Sequence, residues 1–178
     1  MLLEEFENTS AVIEPTDTST RGGGETCNTL ILSFNGEIIK RVAELENVYE
    51  GGALHNLNGR LPWYIYEESG VRVGVMLASI GASMIVGNLE ELKAKGFQNF
   101  IVFGTCGVLD RSIAVDKIII PSSALRDEGT SYHYAPASDE ISYHSELLLT
   151  MEEALDQAGI EHVRTKTWTT DAFYRETA

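Results

Sequence analysis

Short runs of β-branched and other apolar residues alternate along this chain with longer stretches whose apolar positions recur every three to four residues. That alternation restricts the fold more than any other feature. TLILSF, from Thr29, reads as a buried strand, and EIIKRVAELE after it places Ile38, Val42 and Leu45 at i, i+4 and i+7 on one helical face. PWYIYEE and VRVGVMLAS, separated by a turn at Ser69 and Gly70, read as a hairpin. A helix from Met84 to Lys95 follows, with Ile85, Leu89 and Leu92 on one face and Gly96 as its cap. NFIVFG is a further strand, KIIIP is one that ends in Pro121, and a polar loop comes next. SELLLTMEEALDQAG is a helix with an apolar stripe of Leu147, Met151, Ala154, Leu155 and Ala158, and HVRTKTW is the last strand. Strands alternating with amphipathic helices predict the α/β class, three layers α/β/α around a central mixed sheet.

A chain of 178 residues that is 43% hydrophobic fits one domain with a real core. That domain spans 27–178. Residues 1–26 form an N-terminal arm whose glycine-rich TDTSTRGGGET reads as a flexible loop, because Glu25 and a strand follow the glycines where a phosphate loop needs a lysine and a helix. The net charge of −14 excludes a general attraction to nucleic acid or to an anionic membrane, so local groups must hold any anionic ligand. Cys27 and Cys106 stand in unlike contexts and make neither a disulfide framework nor a CxxC pair, which fits a reducing compartment. The acidic N-terminus has no apolar run of signal length, and no stretch approaches a membrane span. The expectation is a soluble, cytoplasmic protein.

Because ligands gather at the carboxyl ends of strands in such folds, the residues after each strand matter most. Three loops stand out. GTCG, Gly104 to Gly107, flanks a hydroxyl and a thiol with two glycines, so amides can approach an anion while Thr105 donates a further hydrogen bond. Its other reading is a tight turn with Cys106 as buried filler. SSALRDEGTSYHYAP concentrates Arg126, Asp127, Glu128, Thr130, Ser131 and His133, either a polar binding loop or a solvated one closed by Asp and Gly turns. TTDAFYRETA places Phe173 and Tyr174 beside Asp171, where they could stack on and hydrogen-bond a planar ring, or simply join the core. His55, His133, His144 and His162 have no zinc spacing. GxSxG, GxxxxGK[ST] and GxGxxG are all missing, and Cys106 as a nucleophile would need a histidine partner in space.

In order and spacing, GASMIVGNLEELKAKGFQNFIVFGTCGVLD, IAVDKIIIPSSALRDEGTSYHYAP and TWTTDAFYRE together resemble the nucleoside phosphorylase and uridine phosphorylase superfamily, from Thr29 to Glu176. The resemblance implies a phosphorylase/hydrolase-like fold and a pentosyl transfer. Nucleoside and inorganic phosphate, the co-substrate, give free base and ribose 1-phosphate without metal or organic cofactor. Such a reaction develops positive charge on the sugar and negative charge on the departing base, so it needs an anion near the ribose and donors near the base.

By that resemblance Gly104 and Thr105, within the loop that Cys106 and Gly107 complete, contact phosphate and ribose. Phe173 packs on the base, with Asp171 and Tyr174 in the same segment. Arg126 and His133 support the phosphate and ribose environment as catalytic candidates. Arg60 supplies charge to a neighbouring subunit's site in a homo-oligomer. There are departures from the pattern. Phe34 and Ile38 of FNGEI stand where the family's GDPxR motif has its glycine and arginine, and Val102 replaces a second arginine. The chain also ends at Ala178, where the family continues into a Met and Glu pair that grips the ribose, so the reading expects a C-terminally truncated chain. Uridine or a purine nucleoside is the expected substrate. The alternatives are a nucleosidase of the same superfamily that uses water, and a non-catalytic nucleoside-binding homologue.

Overall fold

A computed structural model describes residues 6–18, 23–57, 59–113 and 117–175. Its strands hydrogen-bond as two sheets of the α/β class. β1 (Thr29–Ser33) lies parallel to both β4 (Val71–Leu77) and β5 (Asn99–Phe103), and β3 (Gly59–Glu68) pairs antiparallel with β4 and with β2 (Val48–Asn56). The order β2-β3-β4-β1-β5 is therefore a mixed sheet. In the second sheet β6 (Ile118–Asp127) runs parallel to β8 (His162–Thr170) and antiparallel to the short β7 (Glu140–Ser142). The chain divides into two compact units. One is Thr9–Thr105, the other is formed chiefly by the described residues from Cys106 on, and the division falls inside GTCG.

In the first unit, Leu30 and Leu32 of β1 are sealed against Trp63, Ile65, Met76, Leu92 and Phe97. The indole of Trp63 meets the Phe97 ring edge-on, with 5.8 Å between centroids. The hairpin turn has positive φ at both Ser69 (52°) and Gly70 (80°), the pattern that matches the twist of two adjoining strands. α3 (Ala82–Lys95) begins two residues before Met84 and stops at Gly96, whose φ of 124° few other residues tolerate.

Several expectations change in detail. α2 (Gly36–Ala43) buries Ile39, whereas Ile38 is exposed and Leu45 lies beyond the helix end. Asn35 fixes the start of the helix, its side chain accepting from the Glu37 N–H at 3.0 Å. β2 went unread because VYEGGALHN has neither strict alternation nor β-branched enrichment. Its glycines have another purpose. A Cβ at Gly51 or Gly52 would lie 2.6 or 2.4 Å from Trp63, so only glycine admits the indole there. Gly24 and Glu25 of the supposed flexible arm belong to the same arrangement. Glu25 N–H donates to the Gly51 carbonyl and its own carbonyl accepts from Trp63 Nε1, both at 2.8 Å. The arm also contains a one-turn helix, α1 (Pro15–Thr18), and its residues 1–5 and 19–22 lie outside the described residues.

In the second unit, the strand expected to end at Pro121 continues to Asp127 and takes in Ser122–Arg126, which the sequence assigned to a loop. Proline's missing N–H is absorbed by a register shift between Pro121 and Ser123. α4 (Ser145–Gln157) buries Leu148, while Leu147 and Ala154 of the expected stripe are exposed. Among the described residues no helix is long and apolar enough to cross a membrane, and no group of three His, Cys, Asp or Glu gathers as a metal site.

Candidate functional site

Within the first unit, β1 and β5 end side by side, Ser33 opposite Phe103, and the Phe34 N–H donates to the Phe103 carbonyl at 3.3 Å. The next residues, Phe34 and Gly104, touch. A Cβ on Gly104 would fall 2.7 Å from the Phe34 ring, so this glycine makes room for an aromatic side chain of the protein itself. Thr105 follows, exposed. Phe34, Ile38 and Val102, the residues that depart from the family pattern, are 41, 39 and 48% exposed and bring no charge to this strand end. The nearby cation Lys40 is engaged by Glu37 at 2.6 Å. Arg60 is engaged as well. Its guanidinium grips the Glu50 carboxylate across the β2–β3 hairpin through both terminal nitrogens, one at 3.1 Å. That pairing lowers the Glu50 carboxyl pKa and raises that of Arg60.

In the second unit, Cys106 and Gly107 are exposed and line a cavity of about 360 Å³ together with Leu109, Ile119, Thr167 and Trp168. Cys106 is a free thiol at that rim, not buried filler. Arg126 and Asp127 end β6 directly opposite Thr169 and Thr170 of the parallel β8, so the loops after the two strands leave from one place. They are stitched together there. Asp171 N–H donates to the Asp127 carbonyl, and the Asp171 carboxylate accepts from the Gly129 N–H, both at 3.1 Å. Asp127 also accepts from Trp168 Nε1 at 3.2 Å.

The sequence candidates in this unit divide sharply by exposure. Arg126 is only 7% exposed and bonds within its own loop, to Ser131, Ala135, Pro136 and Ser138. His133, closing a 3-10 turn over Thr130–His133, is exposed. Phe173 and Tyr174 are 68 and 98% exposed, which removes the reading of them as core aromatics. Sequence reasoning missed Tyr132 and Ser138 as partners of Arg126. Ser138 is twelve residues away, and no short-range pattern marks such a contact.

Glycine, hydroxyl, charged and aromatic groups thus follow the carboxyl ends of parallel strands, the position at which α/β proteins as a class hold small ligands. Comparison with known proteins narrows the class. The family model described as the phosphorylase superfamily matches residues 29–178, and the chain belongs to that superfamily. It is 32% identical over 105 residues to a uridine phosphorylase of Thermococcus kodakarensis, an alignment covering 59% of this chain and 38% of that protein. With a DeoD-type purine nucleoside phosphorylase of Bacillus thuringiensis it shares 29% identity over 163 residues, 86% of this chain and 65% of that one. The crystal structure of uridine phosphorylase from Vibrio fischeri superposes with a TM-score of 0.68 at 23% identity, covering 83% of this chain and 61% of that chain, and shares its fold. The chain thus matches less than two thirds of the length of each of these relatives.

Proposed function

We propose that this protein cleaves the N-glycosidic bond of a nucleoside, uridine or a purine nucleoside, and transfers the pentosyl group to inorganic phosphate. The observation that carries the reading is the segment after β8. Asp171 anchors it to Gly129 while Phe173 and Tyr174 stand exposed, so the segment presents two aromatic rings beside the loop that follows β6. A planar base stacks on such a surface. As the C1′–N bond breaks, its electron pair leaves with the base, and a phosphate oxygen supplies the new bond to C1′. Within the second unit, the Gly107 amide is the donor we assign to that oxyanion, with His133 at the ribose. No metal or organic cofactor takes part. We assign Arg60 to a site shared with a neighbouring copy in a cytoplasmic homo-oligomer.

Three features at the end of β1 favour water as the acceptor in place of phosphate. The ring of Phe34 lies against Gly104, the Asn35 side chain occupies the Glu37 amide at the start of α2, and Glu37 puts negative charge in its first turn, all unfavourable to a dianion. Incubating the chain with uridine, inosine and adenosine, with and without phosphate, and quantifying free base and ribose 1-phosphate separates the readings. Phosphate-dependent base release supports phosphorolysis, and release of equal rate without phosphate supports hydrolysis. Nucleoside binding without turnover would rule out both and leave a binding protein.

A further inference from the structure

We infer that Arg126 is a positioning residue, which holds the aromatic segment Asp171–Tyr174 through a path of hydrogen bonds joined by the Glu128–Gly129 backbone and does not itself contact the anionic substrate. The inference rests on the nucleoside-binding reading of that segment. Arg126 is the penultimate residue of β6, and its side chain turns into the loop that follows. Nε donates to Ser131 Oγ at 2.8 Å, Nη1 to the Pro136 carbonyl at 2.7 Å and to Ser138 Oγ at 2.9 Å, and Nη2 to the Ala135 carbonyl at 3.4 Å. Four of the guanidinium's five N–H groups are thereby used within the loop. One face of the guanidinium is covered by the Tyr132 ring, 4.1 Å from its centroid. A phosphate or ribose hydroxyl would meet a guanidinium most of whose donors are already occupied.

The buried charge is balanced through a hydroxyl. Ser131 accepts from Arg126 and donates to Glu128 Oε1, while the Ser131 N–H donates to Glu128 Oε2 at 2.9 Å. Glu128 and Ser131 fix the turn that contains Gly129, and the Gly129 N–H meets the Asp171 carboxylate. Arg126 thus sets the loop, the loop sets Gly129, and Gly129 sets the residues that carry Phe173. Lysine cannot reproduce this, because one ammonium on a flexible stem does not span acceptors fixed to the fork of a guanidinium.

The test measures binding of uridine and inosine by equilibrium dialysis to the whole chain and to Arg126→Lys, Arg126→Met, Asp171→Ala and the Arg126→Met/Asp171→Ala pair. Inorganic phosphate is dialysed alone in parallel. Each single substitution is expected to weaken nucleoside binding about tenfold, the scale of a lost charge-assisted hydrogen bond. Arg126→Lys should fail like Arg126→Met, the pair should be no weaker than the worse single variant, and phosphate binding should hold. Multiplying losses, full affinity in Arg126→Lys, or loss of phosphate binding alone in Arg126→Met would overturn the inference. Hydrogen exchange gives an independent reading when no nucleoside binds to any variant, a result that sinks the proposed function and not this inference. In Arg126→Met, and in the milder Ser131→Ala, amides of residues 171–175 should exchange several-fold faster while those of β1 and β4 do not change. Unchanged exchange at 171–175 in both variants would end the proposal.

Discussion

At the scale of single residues, two glycines show how the same absence of a side chain has different consequences in different surroundings. Gly52 lies under a tryptophan that is wholly enclosed, so a methyl group 2.4 Å from Trp63 Cζ2 has no direction in which to push it. Gly52→Ala is expected to cost about 1–3 kcal/mol, the range for overpacking a core, measured by urea denaturation of the two proteins. Gly104 also lies against a ring, but Phe34 is 41% exposed and can swing outward. Gly104→Ala should therefore destabilise by less than about 1 kcal/mol, within the span typical of surface changes. An equal loss for both substitutions would show that Phe34 is held as firmly as Trp63. Arg126 makes a related point about reading charge from sequence. An arginine in a polar loop suggested a ligand contact, yet nothing in SSALRDEGTSYHYAP foretells that the loop closes over it, because its acceptors include backbone carbonyls that every sequence possesses.

Among the elements, those whose periodicity was strong were legible and those defined by their partners were not. β1, the β3–β4 hairpin and α3 follow from apolar runs, a turn with two positive φ values and a glycine stop. β2 and β7 exist because another strand offers them a ladder, and neither GGALHN nor EIS carries a β-strand pattern of its own. Two predictions belong here. Asn35→Ala removes the side-chain acceptor at the start of α2 and should cost about 1 kcal/mol in chemical denaturation. β7 and β8 carry an ion pair between Glu140 and Lys166, each bound to opposite sides of β6. Lys166, and then Ser123, hold the Glu140 carboxyl below its ordinary pKa. A carboxylate with a lowered native pKa stabilises above the usual carboxylate range, and that contribution fades as pH falls through the lowered value. The difference in stability between the chain and Glu140→Gln should accordingly be present at neutral pH and shrink on acidification. A difference that does not change with pH would exclude the pair as its source.

For the whole molecule, a net charge of −14 on 178 residues means that self-repulsion works against the compact state. Thermal midpoints should rise as sodium chloride is added at low ionic strength, where screening acts most strongly. A midpoint that falls or stays level would mean that local ion pairs such as Arg60–Glu50 outweigh the repulsion. The superfamily and the α/β class were legible because three loops keep their order and spacing after strands, as the match over 29–178 bears out. The assignment of chemistry to single side chains was less so, since Arg60 and Arg126 look alike in sequence as free cations and are both committed to internal acceptors. The chain's two tryptophans, finally, are divided between its two units. Trp63 is shut away from solvent and its emission should lie to the blue, whereas Trp168 is partly exposed, its indole N–H on a carboxylate, and should emit further to the red. The protein thus carries a native fluorophore for each unit. Trp63→Phe and Trp168→Phe would let ordinary fluorimetry follow each unit's melting separately, without any added dye.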